Sequence, residues 1–149
     1  MSKKIFNITC PKCSAVQDVE LYEVIDVCAE PAKKEEIMCN KFNRTSCIDC
    51  NEDFRIDLPI LYKDERNSVF IYWVPKTKDV PIENIIEEFD EIIYKIESNS
   101  DLFNIRLVFT RVELVELIYI IESQINHRVI EYIKFSIIQR NLEKLNPVK

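Results

Sequence analysis

Residues 10–13 read Cys-Pro-Lys-Cys and residues 47–50 read Cys-Ile-Asp-Cys. Two residues between cysteines let a tight turn aim both sulfurs at one point, and two such knuckles complete a tetrahedron about 2.3 Å from a zinc ion. The 33 residues between Cys13 and Cys47 exceed the usual spacer of about 15–20. They are enough to hold strand, helix and strand, so the second knuckle can return beside the first. The expected ligand set is Cys10, Cys13, Cys47 and Cys50 around one structural Zn2+, with iron in a rubredoxin-like site as the chemical competitor. Four protein ligands leave no open position for water or substrate, which argues for structure rather than catalysis. Unrelated or redox-active thiols are the alternative; two paired motifs in a chain without secretory features disfavour it.

Outward from the knuckles, residues 5–9 form a short apolar-polar run and Val16 to Val27 is β-rich. Pro31 to Met38 reads as a short helix with proline in its first turn, where a missing N–H costs nothing. Asn40 or Asn43 can end it, because asparagine tolerates the left-handed conformation. After Cys50, Phe54, Ile56, Leu58 and Ile60 alternate with polar residues and Pro59, the period of a half-buried strand with an edge or bulge at the proline. Lys63 to Ser68 is a polar turn, and Val69 to Val74 a buried strand paired back onto its predecessor.

From Ile82 the texture changes. Ile85, Ile86, Phe89, Ile92, Ile93 and Ile96 mark one helical stripe, and Asn104 to Phe109 reads as a strand. Thr110-Arg111-Val112-Glu113 is a capping box opening an apolar helix through Ile121, and Asn126 is an N-cap for a last helix. The expectation is an α+β protein in two parts. A zinc-ribbon-like antiparallel β module with an inserted helix spans residues 1–78; a mainly helical region with one extra strand spans 79–149 and packs on it.

Composition limits the function. The net charge is −6 over 149 residues, shared by both halves; no basic run of the kind that neutralises phosphates appears, and although a local basic face is not excluded, nucleic acid is a disfavoured partner. No run reaches the ~18–20 apolar residues of a membrane span, and the N-terminus lacks a secretory signal; a cytoplasmic protein is expected. Glycine is absent, where ordinary usage gives about ten. With abundant isoleucine, asparagine and lysine, that points to a low-GC bacterium. It also excludes glycine-rich phosphate loops, and leaves positive-φ positions to Asn, Asp or Ser.

Other residues read more plainly. Cys28 and Cys39 are expected as small buried hydrophobes, and His127 as a solvated first-turn residue with no nucleophile beside it. Asp64 and Glu65 are turn-formers. Glu83, Glu87, Glu88, Asp90 and Glu91 form a solvated face, and Phe70, Tyr72 and Trp73 belong to the core. No set of side chains suggests catalysis.

The first knuckle, the return to Cys47 and Cys50, and the segment Leu58-Pro59-Ile60-Leu61-Tyr62-Lys63-Asp64 resemble the CpXC family of bacterial proteins. So do Ile105 to Val108, Glu113 to Glu116, and Asn126 to Lys134. The resemblance implies a zinc-binding protein with all four cysteines in one site, no established activity, and a shared Leu61–Asp64 segment of unknown role. Members tend to carry glycine after each second cysteine, where this chain has Ser14 and Asn51. Ile48 stands where proline is frequent, and Asn126-His127 where paired acids are common.

Three functions follow in order of preference. The first is a non-enzymatic interaction or adaptor protein whose partner is another protein. The second is a nucleic-acid-associated ribbon. The third is a thiol sensor that releases zinc on oxidation, which requires thiolates near basic groups.

Overall fold

The computed structural model describes residues 3–76, 79–97 and 104–145, without the side chains of 96, 97, 127 and 143–145. Strands β1 (Lys3–Thr9) and β2 (Val16–Tyr22) form an antiparallel pair in which Thr9 faces Val16, so the first knuckle is the turn of this hairpin. Strands β4 (Arg44–Ser46) and β5 (Asp53–Arg55) form a second hairpin whose turn is the other knuckle. Between them lie β3 (Val24–Asp26) and helix α1 (Pro31–Met38).

The third sheet has the order β3-β6-β7-β8, completed by β6 (Ile60–Asp64), β7 (Val69–Trp73) and β8 (Asn104–Val108). The antiparallel expectation holds for both knuckle hairpins and for β6 with β7, but β3 pairs parallel to β6 and β7 parallel to β8. A parallel neighbour needs a crossover. Helix α1 and the β4–β5 hairpin lie between β3 and β6, and helix α2 (Ile82–Glu97) between β7 and β8. Every residue of β7 is buried, as befits a strand with a neighbour on each side and a continuous apolar sequence.

The alternating stretch from Phe54 to Ile60 proves to be two strands in different sheets. Burial alternates throughout, but the ladder stops after Arg55 and resumes at Ile60. Pro59 lies in the break. It has no N–H to give, and β6 has hydrogen-bonded neighbours on both sides, so proline falls just outside it.

Tyr72, Val74 and Ile85 form a buried cluster with Leu61, Phe89, Ile92, Leu107 and Phe109 packed against it. The apolar stripe of α2 supplies Ile85, Phe89 and Ile92, while Glu83, Glu87, Glu88, Asp90 and Glu91 stay exposed. One of them has a partner: Glu88 accepts a hydrogen bond from the Tyr72 hydroxyl at 2.9 Å. Burial and then this carboxylate push the Tyr72 phenol up.

Helix α3 (Arg111–Ser123) opens on the expected capping box. Glu113 N–H donates to Thr110 Oγ1 at 3.1 Å, and Thr110 N–H to Glu113 Oε2 at 3.1 Å. Packing divides the chain into residues 1–115 and 116–149. The second unit holds the rest of α3 and helix α4 (His127–Leu145), which Asn126 caps by accepting from Arg128 N–H at 2.9 Å. Within it Lys134 pairs with Glu116 and Glu131. No helix among the described residues is long and apolar enough to cross a membrane.

Among the described residues six adopt positive φ: Ser14, Asn40, Asn43, Asn51, Ser68 and Gln124. Five are Asn or Ser, as a chain without glycine requires. Gln124, at the end of α3, falls outside that rule.

Candidate metal centre

The two knuckles have the same backbone. Ser14 N–H donates to Cys10 C=O and Asn51 N–H to Cys47 C=O, both at 3.0 Å; Cys10 N–H reaches Ala15 C=O and Cys47 N–H reaches Glu52 C=O, at 2.8 and 2.9 Å. Closing such a loop takes a left-handed residue after the second cysteine. Ser14 (φ 61°) and Asn51 (φ 55°) fill that position, where glycine has no steric cost.

All four cysteines expected as ligands come together. The sulfurs of Cys10, Cys13, Cys47 and Cys50 lie within 4.8 Å of one another. Cys10 Sγ is 3.7 Å from Cys50 Sγ, and Cys13 Sγ is 3.5 Å from Cys47 Sγ. A regular tetrahedron with metal–sulfur bonds of about 2.3 Å has edges of about 3.8 Å, so these separations fit a single ion. All six cysteines are unpaired by disulfides. The group contains no histidine or carboxylate, a donor set that suits soft, thiophilic metals. The four cysteines are therefore positioned to hold a metal ion.

Electrostatics favours a cation there. The Cys13 N–H, against burial, brings Cys10 down to about 7. Cys13 goes the other way: the Ala15 N–H favours its thiolate, but Cys47, burial and the remaining thiols push it up to about 12. For Cys50 the Glu52 N–H also favours the thiolate, yet burial and the thiols of Cys47 and Cys10 hold it above the usual range. Crowded thiols cannot all ionise unless positive charge sits among them.

Two contacts outside the sulfurs fix how the knuckles meet. Lys12 of the first knuckle pairs with Glu52 beside the second at 2.9 Å. Gln17, buried on β2, accepts from Ile48 N–H at 2.9 Å and donates to Ser46 C=O at 3.1 Å and Thr45 Oγ1 at 3.4 Å. Sequence reasoning passed over Gln17, which there is only one polar residue in a strand. The signal that could have found it is a long amide at a position whose neighbours on the same face, Val19 and Leu21, are apolar.

The other candidates fall elsewhere. Asp64 is buried and closes the β6–β7 turn, accepting from Asn67 N–H at 3.2 Å and Asn67 Nδ2 at 2.8 Å; this gives the Leu61–Asp64 segment a structural reason. Cys28 is half-buried with Sγ 4.0 Å from Asp64 Oδ1. Cys39, expected to be buried, is exposed, because it caps the C-terminus of α1 at the surface. His127 begins α4; its side chain lies outside the described residues. Phe70, Tyr72 and Trp73 are buried core residues.

No curated protein and no solved structure is found to match the chain. Residues 8–134 match the family described as CpXC protein, from just before the first knuckle into α4. The chain belongs to the CpXC family.

Proposed function

We propose that this chain is a non-enzymatic zinc protein whose four-cysteine site holds its N-terminal hairpins in place to support an interaction surface for another protein. One observation carries the zinc reading: four sulfurs and no other ligand type converge within 4.8 Å. Zinc is redox-inert and takes a closed tetrahedron of thiolates, with a role in folding. The same closed shell leaves substrate nowhere to bind the metal. The interaction role is supported by the second unit, where α4 exposes Tyr132, Phe135, Ile137 and Ile138, each more than half accessible. Apolar surface of this kind commonly marks a protein contact.

Elemental analysis of protein purified without added metal tests the site. About one zinc per chain is expected, and Cys10→Ser or Cys47→Ser should abolish it. Stoichiometric iron, with its visible absorption, would replace zinc in the reading; a stable metal-free fold with paired disulfides would end it. For the surface, a pull-down from the native host should recover a partner that Phe135→Glu loses while metal content stays unchanged.

A further inference from the structure

A concentration of unbalanced positive charge lies at the end of the β4–β5 hairpin opposite its knuckle. Arg44 and Arg55 are direct cross-strand partners there, an arrangement that like charges normally destabilise. Arg111, from the first turn of α3, reaches the same place. It and Arg55 both bond Asn40 Oδ1, at 3.3 and 3.4 Å, and both pair with Asp57 Oδ1, at 2.8 and 3.0 Å. The Arg44 side chain has no hydrogen bond or ion pair among the described residues.

The Arg55 and Arg111 guanidinium groups thus share one carboxylate, beside a third arginine that is the cross-strand partner of Arg55, in a chain whose net charge is −6. Beyond Asp57, Arg111 is held by longer bonds to Asn40 and to Phe42 C=O, all at 3.3–3.4 Å. Burial, and further down the positive charges of Arg55 and Arg44, lower Arg111 below the usual guanidinium range against the pull of Asp57. Its guanidinium carbon lies 5.0 Å from the centre of the Trp73 ring, and the indole N–H of Trp73 is buried with no acceptor among the described residues. Buried donors normally have one. Excess positive charge and an N–H without an acceptor among the described residues thus adjoin the same group.

We propose that Arg44, Arg55 and Arg111 form a binding site for one phosphoryl dianion, free or as the monoester of a small molecule. The charge balance decides the class. Three cations against Asp57 leave two positive charges, which a dianion neutralises and a single carboxylate does not. Guanidinium forks match phosphate oxygens in bidentate geometry. A nucleic acid would require a basic track running on from this point, and the acidic chain offers none.

The test titrates the full-length, metal-loaded protein with inorganic phosphate and with glycerol phosphate, at constant ionic strength, by calorimetry. Saturable one-to-one binding is expected for at least one of them, and the ratio of affinities separates free phosphate from a monoester. Arg44→Gln removes an exposed side chain with no partner, so it should fold normally and weaken binding by about tenfold, as loss of a charge-assisted bond does. Arg55→Gln should weaken it as well, and Lys4→Gln, which removes a charge on β1, should not. Glycerol phosphate should bind better as its second proton leaves near pH about 6. No saturable binding of either anion, unaltered binding by Arg44→Gln, or an equal loss in Lys4→Gln would overturn the site.

Discussion

Replacing Ser14 with glycine should stabilise the metal-loaded protein. Ser14 holds φ at 61° to close the first knuckle. A residue with a Cβ pays about 1–2 kcal/mol in the left-handed region. Glycine avoids that cost but loses about 0.5–1 kcal/mol more conformational entropy on folding. The difference is a net gain of about 0.5–1 kcal/mol, which multiplies an equilibrium constant by about two to five. The knuckle's hydrogen bonds, from Ser14 N–H to Cys10 C=O and from Cys10 N–H to Ala15 C=O, involve only backbone and survive the change.

Two assays read this gain. Urea unfolding of the zinc-loaded protein should show a raised midpoint with an unaltered slope. Competition with a chromophoric chelator should show tighter zinc binding by the same factor, because the knuckle forms as the metal binds. Asn51→Gly should gain less, since asparagine occupies this region more readily than serine. Ser14→Ala keeps the Cβ and should stay within about 0.5 kcal/mol of the parent, whereas Ser14→Val should be clearly worse. The reasoning fails if Ser14→Gly and Ser14→Ala lose stability together, because the hydroxyl rather than the φ angle would then be holding the knuckle.

The remaining predictions concern what surrounds the site. Gln17→Leu leaves Ile48 N–H and Ser46 C=O unpaired and should weaken zinc binding by about 10–100-fold, read by the same chelator competition; Gln17→Glu, which keeps the acceptor for Ile48, should lose less. Burial alone would raise the Asp26 pKa, but Ala29 N–H, Cys28 N–H and Lys63 outweigh it and the net shift is downward. Such stabilisation is present above the unfolded pKa of about 3.9 and is lost as pH falls through the lower folded value. Asp26→Asn should therefore be about 1–2 kcal/mol less stable near neutral pH, with the gap closing below about pH 4. Taking the difference at each pH cancels metal loss, which both proteins share. Thr110→Ala should cost about 0.5–2 kcal/mol by removing the N-cap of α3, measured as a lowered urea midpoint.

What could be read from the sequence was what depends on neighbours along the chain. The capping box at Thr110, the proline at the start of α1, the N-cap at Asn126 and the stripe of α2 are local devices, and each stands where its residues put it. The four sulfurs were legible for a different reason: a C-x2-C knuckle carries its geometry with it, so two knuckles imply one site across any spacer that allows return. Strand partners are not local. Nothing in Val24-Ile25-Asp26 says that it will lie parallel to β6, and nothing in Asn104 to Val108 says that β7 will be its neighbour. Those pairings depend on which faces α1 and α2 can cover. Ile56 and Leu58 misled for a related reason: they alternate in burial with no ladder to belong to.

The absence of glycine connects these threads. In most chains a left-handed position is cheap; here Ser14, Asn40, Asn43 and Asn51 supply four of them in and beside the two knuckle hairpins. Asn43 shows how such a residue can repay its strain. Its side-chain amide accepts from Tyr22 N–H at 3.3 Å and donates to Tyr22 C=O at 3.4 Å, while its own C=O takes Ile56 N–H at 2.9 Å. It thereby joins β2 to the chain leaving β5, work that glycine could not do. Ser14 is exposed and makes no comparable side-chain bond among the described residues. The strain at the two positions thus has different standing: Asn43→Gly should destabilise, where Ser14→Gly stabilises. Opposite signs from the same substitution in the same left-handed region would separate conformational cost from side-chain bonding within one molecule.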